Sequence, residues 1–127
     1  MEKIDTSKLP KNIEAEQALI GAILANNKAF EKVSDFLKAK HFADSTHAKI
    51  FDVMSLLITR GHTADVITLK NYLEQEGILN DVGGANYLIK LADSASIMTN
   101  VEYYGQFIYD KYYSITAIAS IQISIVS

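Results

Sequence analysis

Histidine has the widest chemistry of any residue type in this chain, because it can bind a metal ion and can exchange a proton near neutral pH. The three histidines are His41, His47 and His62. Two metal ligands on one helix are typically three or four residues apart, and no pair of these histidines has that spacing. The chain also lacks cysteine, so a thiolate zinc site is excluded. We therefore expect structural or surface roles for all three histidines and no bound metal.

Two further patterns could serve catalysis or nucleotide binding, and neither fits the chemistry required. Glu14 and Glu16 are two residues apart, so their side chains leave a helix in different directions and form a poor acid–base pair. Gly83 and Gly84 are the only adjacent glycines, and the chain has no Gly-Lys dipeptide of the kind that a phosphate-binding loop requires. We expect a turn at these glycines, no catalytic residue and no bound cofactor.

An aromatic run near the end of the chain is the best candidate for a binding surface. Its members are Tyr103, Tyr104, Phe107, Tyr109, Tyr112 and Tyr113. Aromatic rings can stack on nucleic-acid bases, but no basic groove accompanies these rings. We therefore expect them to combine core packing with a protein interface. The residues that we assign to this interface share a helical spacing: Val101, Tyr104, Phe107, Ile108 and Tyr112.

The composition is that of one globular domain rather than of a disordered or membrane protein. The 127 residues are 49% hydrophobic and 21% charged, which is enough apolar material for one core. A net charge of −3 argues against a dedicated binder of nucleic acid or anionic membranes. No signal peptide and no membrane-spanning run are visible, and the absence of cysteine fits a reducing compartment. We expect a cytoplasmic protein with weak DNA binding at most.

Apolar residues recur at helical spacing and predict an all-α domain, a compact bundle of about six helices. The first helix follows Pro10, is capped by Asn12 and is apolar on nearly its whole circumference, as expected at the centre of a bundle. Five more helices are predicted within "ANNKAFEKVSDFLKAK", "ADSTHAKIFDVMSLLITRG", "ADVITLKNYLEQEG", "DVGGANYLIKLADSA" and "TNVEYYGQFIYDKYY". The residues expected in the core are Ile20, Ile23, Leu24, Phe30, Val33, Phe51, Met54, Leu57, Leu69, Leu73, Leu88 and Leu91.

The two ends of the chain differ from the middle. We interpret residues 1–9 as a flexible polar arm, residues 10–113 as the helical domain, and residues 114–127 as an uncharged tail. The tail ends in "SIQISIVS", where isoleucine alternates with polar residues as in a strand. This pattern leaves two alternatives, a continuation of the last helix or an aggregation-prone, poorly ordered segment.

The order of the segments is more specific than any one of them. The chain carries "LPKNIEAEQALIGAIL", then "HFADSTHAKIFDVM", "GHTADVITLKNYLEQEG", "GGANYLIKLADSA" and "NVEYYGQFIYDK". This succession resembles the N-terminal domain of bacterial DnaB-type replicative DNA helicases over roughly residues 9–113. The resemblance implies a domain that pairs through a helical hairpin at its C-terminal end. Such pairs form a collar on the hexameric helicase, which primase and, in some systems, a helicase loader contact.

Some features depart from that family. The ATPase domain, to which ATP and magnesium would belong, is absent from these residues, so the resemblance implies no enzymatic activity in this chain. The segment after Tyr113 lacks the usual basic continuation, and "SASIMTN" lacks the proline often found before the last helix. We interpret the chain as a truncated representative with weak or irregular self-association.

The alternative function is a free-standing helical adaptor or a DNA-binding regulator. A basic recognition helix would favour a regulator, but "THAKIFDVMSLLITR" uses one face for apolar residues at core spacing. The helicase-type assembly domain is therefore the preferred hypothesis.

Overall fold

The computed structural model describes residues 13–95 and 99–126, with side chains up to residue 117 in the last helix. The predicted arm over residues 1–9 and the predicted cap Asn12 lie outside the described residues. All regular secondary structure in the described ranges is helical, which confirms the predicted all-α class. The five α-helices are α1 (Ile13–Ala25), α2 (Ser45–Thr59), α3 (Val66–Gln75), α4 (Gly84–Asp93) and α5 (Val101–Val126). Three short 3-10 helices, Asn27–Lys32, Ala39–His41 and Asn80–Val82, connect them.

Helix α1 lies at the centre of the bundle, where it packs against α2, α4, α5 and the first 3-10 helix. This position explains its apolar circumference, because neighbours cover it on several sides. At Gly21 a Cβ atom would collide with the carbonyl oxygen of Leu91 and would come within 3.1 Å of the Ser94 hydroxyl. Glycine therefore permits α1 and α4 to approach more closely than any side chain would allow.

The helix predicted in "ANNKAFEKVSDFLKAK" is present as the 3-10 helix Asn27–Lys32, followed by turns, rather than as an α-helix. Asn27 supplies the physical reason. Its amide donates to the carbonyls of Ile23 and Ala64 at 2.8 and 2.9 Å, and its oxygen accepts from the Ala64 amide at 2.8 Å. These bonds tie the chain to the loop before α3 directly after α1 ends. Phe30 and Val33 are buried nevertheless, because a 3-10 turn also places residues three apart on one side.

Helices α2 and α3 each begin directly after an aspartate whose carboxylate caps the first helical turn. Asp44 accepts hydrogen bonds from the Thr46 and His47 amides at 2.8 and 3.2 Å. Asp65 accepts from the Thr68 amide, while the Thr68 hydroxyl accepts from the Asp65 amide, both at 2.9 Å. Each cap satisfies amide groups that the first helical turn leaves unpaired, so the helix starts are determined locally.

The expected core residues lie in the interior or at its edge. Leu24 and Leu57 are half-buried and pack against the cluster that the others form. The fully or almost fully buried ones are Ile20, Ile23, Phe30, Val33, Phe51, Met54, Leu69, Leu73, Leu88 and Leu91.

Helix α5 continues without interruption through the segment that we separated as a tail. Its 26 residues span about 39 Å at the usual rise, twice the length of α1. The boundary proposed at residue 114 is therefore not a change of secondary structure. Of the two alternatives for the tail, the backbone follows the helical one, and the strand-like alternation of "SIQISIVS" forms no strand in the described residues.

Candidate interaction surface on the last helix

The inner face of α5 belongs to the core of the domain. Val101 and Ile108 are buried, and between them Gly105 passes so close to the first 3-10 segment that a Cβ would stand 2.5 Å from Cγ1 of Val33. Our assignment of Val101 and Ile108 to a self-association surface is therefore corrected. The stripe that contains them is the face by which α5 packs on its own domain, since even a terminal helix needs one covered face.

The outer face of α5 carries a ridge of larger side chains, Tyr103, Phe107 and Lys111, which we call the outer ridge. The Tyr103 side chain is 60% exposed, and its ring centroid lies 6.3 Å from that of half-buried Phe107. The Lys111 ammonium group lies 5.4 Å from the Phe107 centroid, within the range of a cation–π contact. The ridge thus presents aromatic surface beside one positive charge.

The remaining assigned residues, Tyr104 and Tyr112, have intermediate positions. Tyr104 is half-buried, packs against the core and meets the exposed Tyr103 ring edge-on at 5.7 Å. Tyr112 is half-buried in a second aromatic group farther along the helix. Of the five assigned residues, Phe107 therefore lies on the outer ridge, Tyr104 lies at its margin, Tyr112 packs on His41 instead, and two lie inside the core.

That second group, which we call the His41 cluster, consists of His41, Tyr109, Tyr112 and Tyr113. The three tyrosine rings on α5 lie 4.8, 5.1 and 5.6 Å from the His41 ring, in that order. His41 is only 3% exposed, and its Nδ1 accepts a hydrogen bond from the Lys38 amide at 2.9 Å. Its buried Nε2 has no hydrogen-bond partner among the described residues. Burial lowers the pKa of His41 below its ordinary value, and the charges of Lys40 and Lys38 lower it further.

A second buried histidine is bonded differently. His47 donates from Nδ1 to the Glu16 carboxylate at 2.8 Å, and its Nε2 is hydrogen-bonded to the Tyr87 hydroxyl. The same carboxylate accepts from the backbone amides of Ala43 and Asp44 at 2.7 and 3.3 Å. Three donors therefore satisfy a Glu16 side chain that is 1% exposed. We call Glu16, His47 and Tyr87 the buried network.

The buried network joins α1, α2 and α4. In the neutral tautomer that donates from Nδ1 to the carboxylate, Nε2 accepts and the Tyr87 phenol donates to it. Gln17 also donates to that phenol oxygen, at 3.2 Å. The order carboxylate, imidazole and hydroxyl is also found in general-base catalysis, but here the acceptors and donors fully satisfy one another. The arrangement is suited to holding three helices in register.

Sequence reasoning missed this network. Glu16 was considered only as a poor acid–base partner of Glu14, whereas the structure buries Glu16 and exposes Glu14. The available signal was a pair of acids in the first turn of an otherwise largely apolar helix, one of which must face inward, together with a histidine on the buried stripe of a later helix. A buried carboxylate requires donors, and a histidine at core spacing is a suitable one.

The other chemical candidates are placed apart. His62 is exposed after the end of α2, whereas the other two histidines are buried. Gly83 and Gly84 have φ values of 95° and 74°, so they form a turn into α4. Within the described ranges no three metal-ligating side chains come together. None of the helices described there combines the length and apolar character that crossing a membrane requires.

Comparison with known proteins places this geometry in context. Residues 8–110 match the profile of a family described as the DnaB-like helicase N terminal domain. Over 102 residues the chain is 41% identical to the replicative DNA helicase DnaB of Rickettsia typhi and 37% identical to the replicative DNA helicase DnaC of Bacillus subtilis. Each match covers 80% of this chain but only 20% and 22% of those relatives. The chain therefore spans about a fifth of their length.

Solved structures agree. The crystal structure of the N-terminal domain of DnaB helicase from Mycobacterium tuberculosis superposes with a TM-score of 0.85 at 27% identity, covering 91% of this chain and 84% of that one. A DnaB-like replicative helicase studied for its interactions with primase superposes with a TM-score of 0.76 at 27% identity. That match covers 90% of this chain and 27% of the helicase.

Proposed function

This chain belongs to the family of DnaB-like helicase N-terminal domains, and we propose that it is the assembly and docking module of a replicative DNA helicase. In this role the domain associates with further copies of itself, as a dimer or within a hexameric collar, and presents a surface to primase. Family membership and the exposed outer ridge support the proposal. Contact with a helicase loader is a further part of it.

The outer ridge is the observation that carries the proposal. Tyr103 is 60% exposed and lies beside a second aromatic ring, and contiguous exposed apolar surface of this kind supports an interaction site. Tyrosine and other aromatic residues dominate the energetics of protein interfaces, because they bury a large area at a small entropic cost. We therefore assign self-association to Tyr103 and Phe107, with Tyr104 at the margin.

Catalysis is assigned elsewhere. The 127 residues contain no phosphate-binding loop, so we propose that ATP and magnesium are bound by parts of such helicases that these residues do not include. With a net charge of −3, the domain is proposed to bind single-stranded DNA weakly or not at all at physiological salt. A cytoplasmic location, where replication proteins act, completes the proposal.

The test is a measurement of association against concentration. Sedimentation equilibrium of the full chain is compared with Tyr103→Ala and with Phe107→Ala. We expect each variant to dissociate about tenfold more readily, the effect of losing one interface anchor. Ile67→Ala is the matched control, because Ile67 is 69% exposed on α3 and lies off the ridge. A chain that stays monomeric at high concentration, or an equal effect of Ile67→Ala, would contradict the assignment.

Primase contact is tested separately. Binding of a primase C-terminal domain to the chain is measured by titration calorimetry, with and without Tyr103→Ala. Binding to the wild type supports the docking role, and loss of binding in the variant places primase on the outer ridge. Absence of binding to a correctly folded, self-associated wild type would remove primase from the proposal.

A further inference from the structure

We propose that the His41 cluster is a proton-sensitive contact that determines how firmly the second half of α5 is held against the bundle. The proposal concerns the domain itself and is independent of what the outer ridge binds. It starts from a buried histidine that has one hydrogen bond, one unpartnered nitrogen and three aromatic neighbours.

The first step concerns the neutral form of His41. An imidazole that accepts from the Lys38 amide through Nδ1 must carry its proton on Nε2. Nε2–H is then the buried group without a hydrogen-bond partner, and it lies among the rings of Tyr109, Tyr112 and Tyr113. Aromatic packing thus holds the neutral ring, and that packing connects the 3-10 helix Ala39–His41 to α5.

The second step concerns protonation. A second proton on Nδ1 would point at the Lys38 amide, so an attractive hydrogen bond would become two opposed donors. It would also place a positive charge in a site that is almost fully buried, beside two lysines. Both effects disfavour the closed cluster, and the lowered pKa of His41 has the same direction. Attraction between the new cation and the tyrosine rings opposes them.

The charged surroundings are otherwise sparse. On the loop of His41 itself, the neighbouring charges are Lys38 and Lys40. From α5 the ionisable groups are the three phenols and the exposed carboxylate of Asp110, and proximity first of Tyr113 and then of Asp110 raises the pKa of Tyr109. Helix α2 also packs on this 3-10 helix, and its ionisable side chains are His47, which is bonded to Glu16, and the exposed Lys49 and Asp52. Among the described residues the ion pair found is that of His47 with Glu16, and no carboxylate lies within ion-pair distance of His41.

The third step concerns α5. Among the described side chains after Tyr113, those of Ser114, Thr116 and Ala117 are exposed and that of Ile115 is half-buried. The His41 cluster is therefore the last extensive tertiary contact along the described part of α5. Loosening it frees the second half of the helix while Val101 and Ile108 keep the first half in the core. A change of pH below the ordinary range of histidine would alter the direction or order of α5.

The test combines two measurements on the full chain between pH 7.5 and 5.5. Histidine ring shifts in NMR spectra give the midpoint of each histidine, and we expect the pKa of His41 to lie below the ordinary value for histidine, with exposed His62 as the internal reference. Amide hydrogen exchange, corrected for the intrinsic effect of pH, gives the protection of residues 109–117. We expect that protection to fall several-fold as His41 titrates, while the protection of α3 stays constant.

A matched pair of variants separates His41 from the other histidines. His41→Asn keeps an oxygen acceptor for the Lys38 amide and cannot be protonated, so we expect the protection of residues 109–117 to be independent of pH. His62→Asn should retain the full pH dependence. If His41→Asn does not fold, the wild type still decides, because the loss of protection must follow the midpoint of His41.

Three results would overturn the proposal. One is a His41 midpoint equal to that of His62, and another is a pH-independent protection of residues 109–117 in the wild type. The third is an unchanged loss of protection in folded His41→Asn. Free amide exchange of residues 109–117 already at pH 7.5 would also overturn the proposal, because there would then be no contact for a lower pH to open.

Discussion

His47 and His41 are both almost fully buried, at 0% and 3% exposure, but the protein holds them by different means. His47 is bonded through both ring nitrogens, to Glu16 and to Tyr87. His41 has one bonded nitrogen and is otherwise surrounded by three tyrosine rings. The first joins three helices in the centre of the domain, and the second attaches the middle of the long last helix.

The difference shows how burial and hydrogen bonding separate a structural histidine from a responsive one. A buried polar group with all its partners resists change, because breaking any bond leaves an unsatisfied group. A buried group that lacks one partner needs less free energy to leave its buried position, because fewer hydrogen bonds are broken. The predictions below test this contrast, from the largest expected effect to the smallest.

Glu16→Ala should produce the largest loss of stability. It removes the acceptor of three hydrogen bonds and leaves the His47 Nδ1 donor buried without a partner. Breaking a buried pair in this way costs about 3–5 kcal/mol. Urea unfolding followed by circular dichroism measures it. Glu14→Ala is the matched control, because Glu14 is exposed on the same helix and should change stability by less than about 0.5 kcal/mol. Equal effects of the two would mean that the network adds nothing.

Tyr87→Phe should have an intermediate effect. The ring and its stacking on His47 at 5.9 Å are kept, while the hydroxyl that bonds Nε2 is lost. A buried acceptor left without its donor costs about 1–3 kcal/mol. Tyr103→Phe removes a hydroxyl from an exposed ring and serves as the control, with a change near zero. A Tyr87→Phe variant as stable as Tyr103→Phe would show that water replaces the phenol.

The stability of the wild type should depend on pH through His41. Because the pKa of His41 is lowered in the folded chain, the unfolded chain binds more protons as the pH falls below about 6.5. The stability that neutral, buried His41 contributes to the folded chain is therefore fully present above that pH and is lost on acidification. His41→Asn should show a smaller decline in unfolding free energy between pH 7.5 and 5.5 than the wild type does. Parallel curves for the two proteins would exclude His41 as the source.

Removal of residues 115–127 should have the smallest effect on folding. The side chains of both histidine sites lie before residue 114. The unfolding free energy should therefore change by less than about 0.5 kcal/mol, and the titration midpoints of the histidines should change little. Solubility should improve, because an uncharged, isoleucine-rich segment is removed. Light scattering and circular dichroism measure both. A cooperative loss of helicity would show that the end of α5 is part of the fold.

Part of the fold could be predicted from local sequence because its causes are local. Asp65 caps α3 through a threonine three residues later, and Gly77, with a φ of 71°, follows its end. Helical spacing indicated core residues such as Phe51 and Leu69, since one face of each helix must be covered. The central position of α1 followed in the same way from its apolar circumference.

The tertiary structure decided the features that depend on residues far apart in the chain. Glu16 and His47 are 31 positions apart, so no local pattern shows that one satisfies the other. The spacing of Val101 and Ile108 shows that they share a face of α5, but only the packing on α1 and the first 3-10 segment reveals that this face points inward. Periodicity identifies which residues lie together on a helix. Which face is buried, and which polar groups meet there, depends on the arrangement of all the helices.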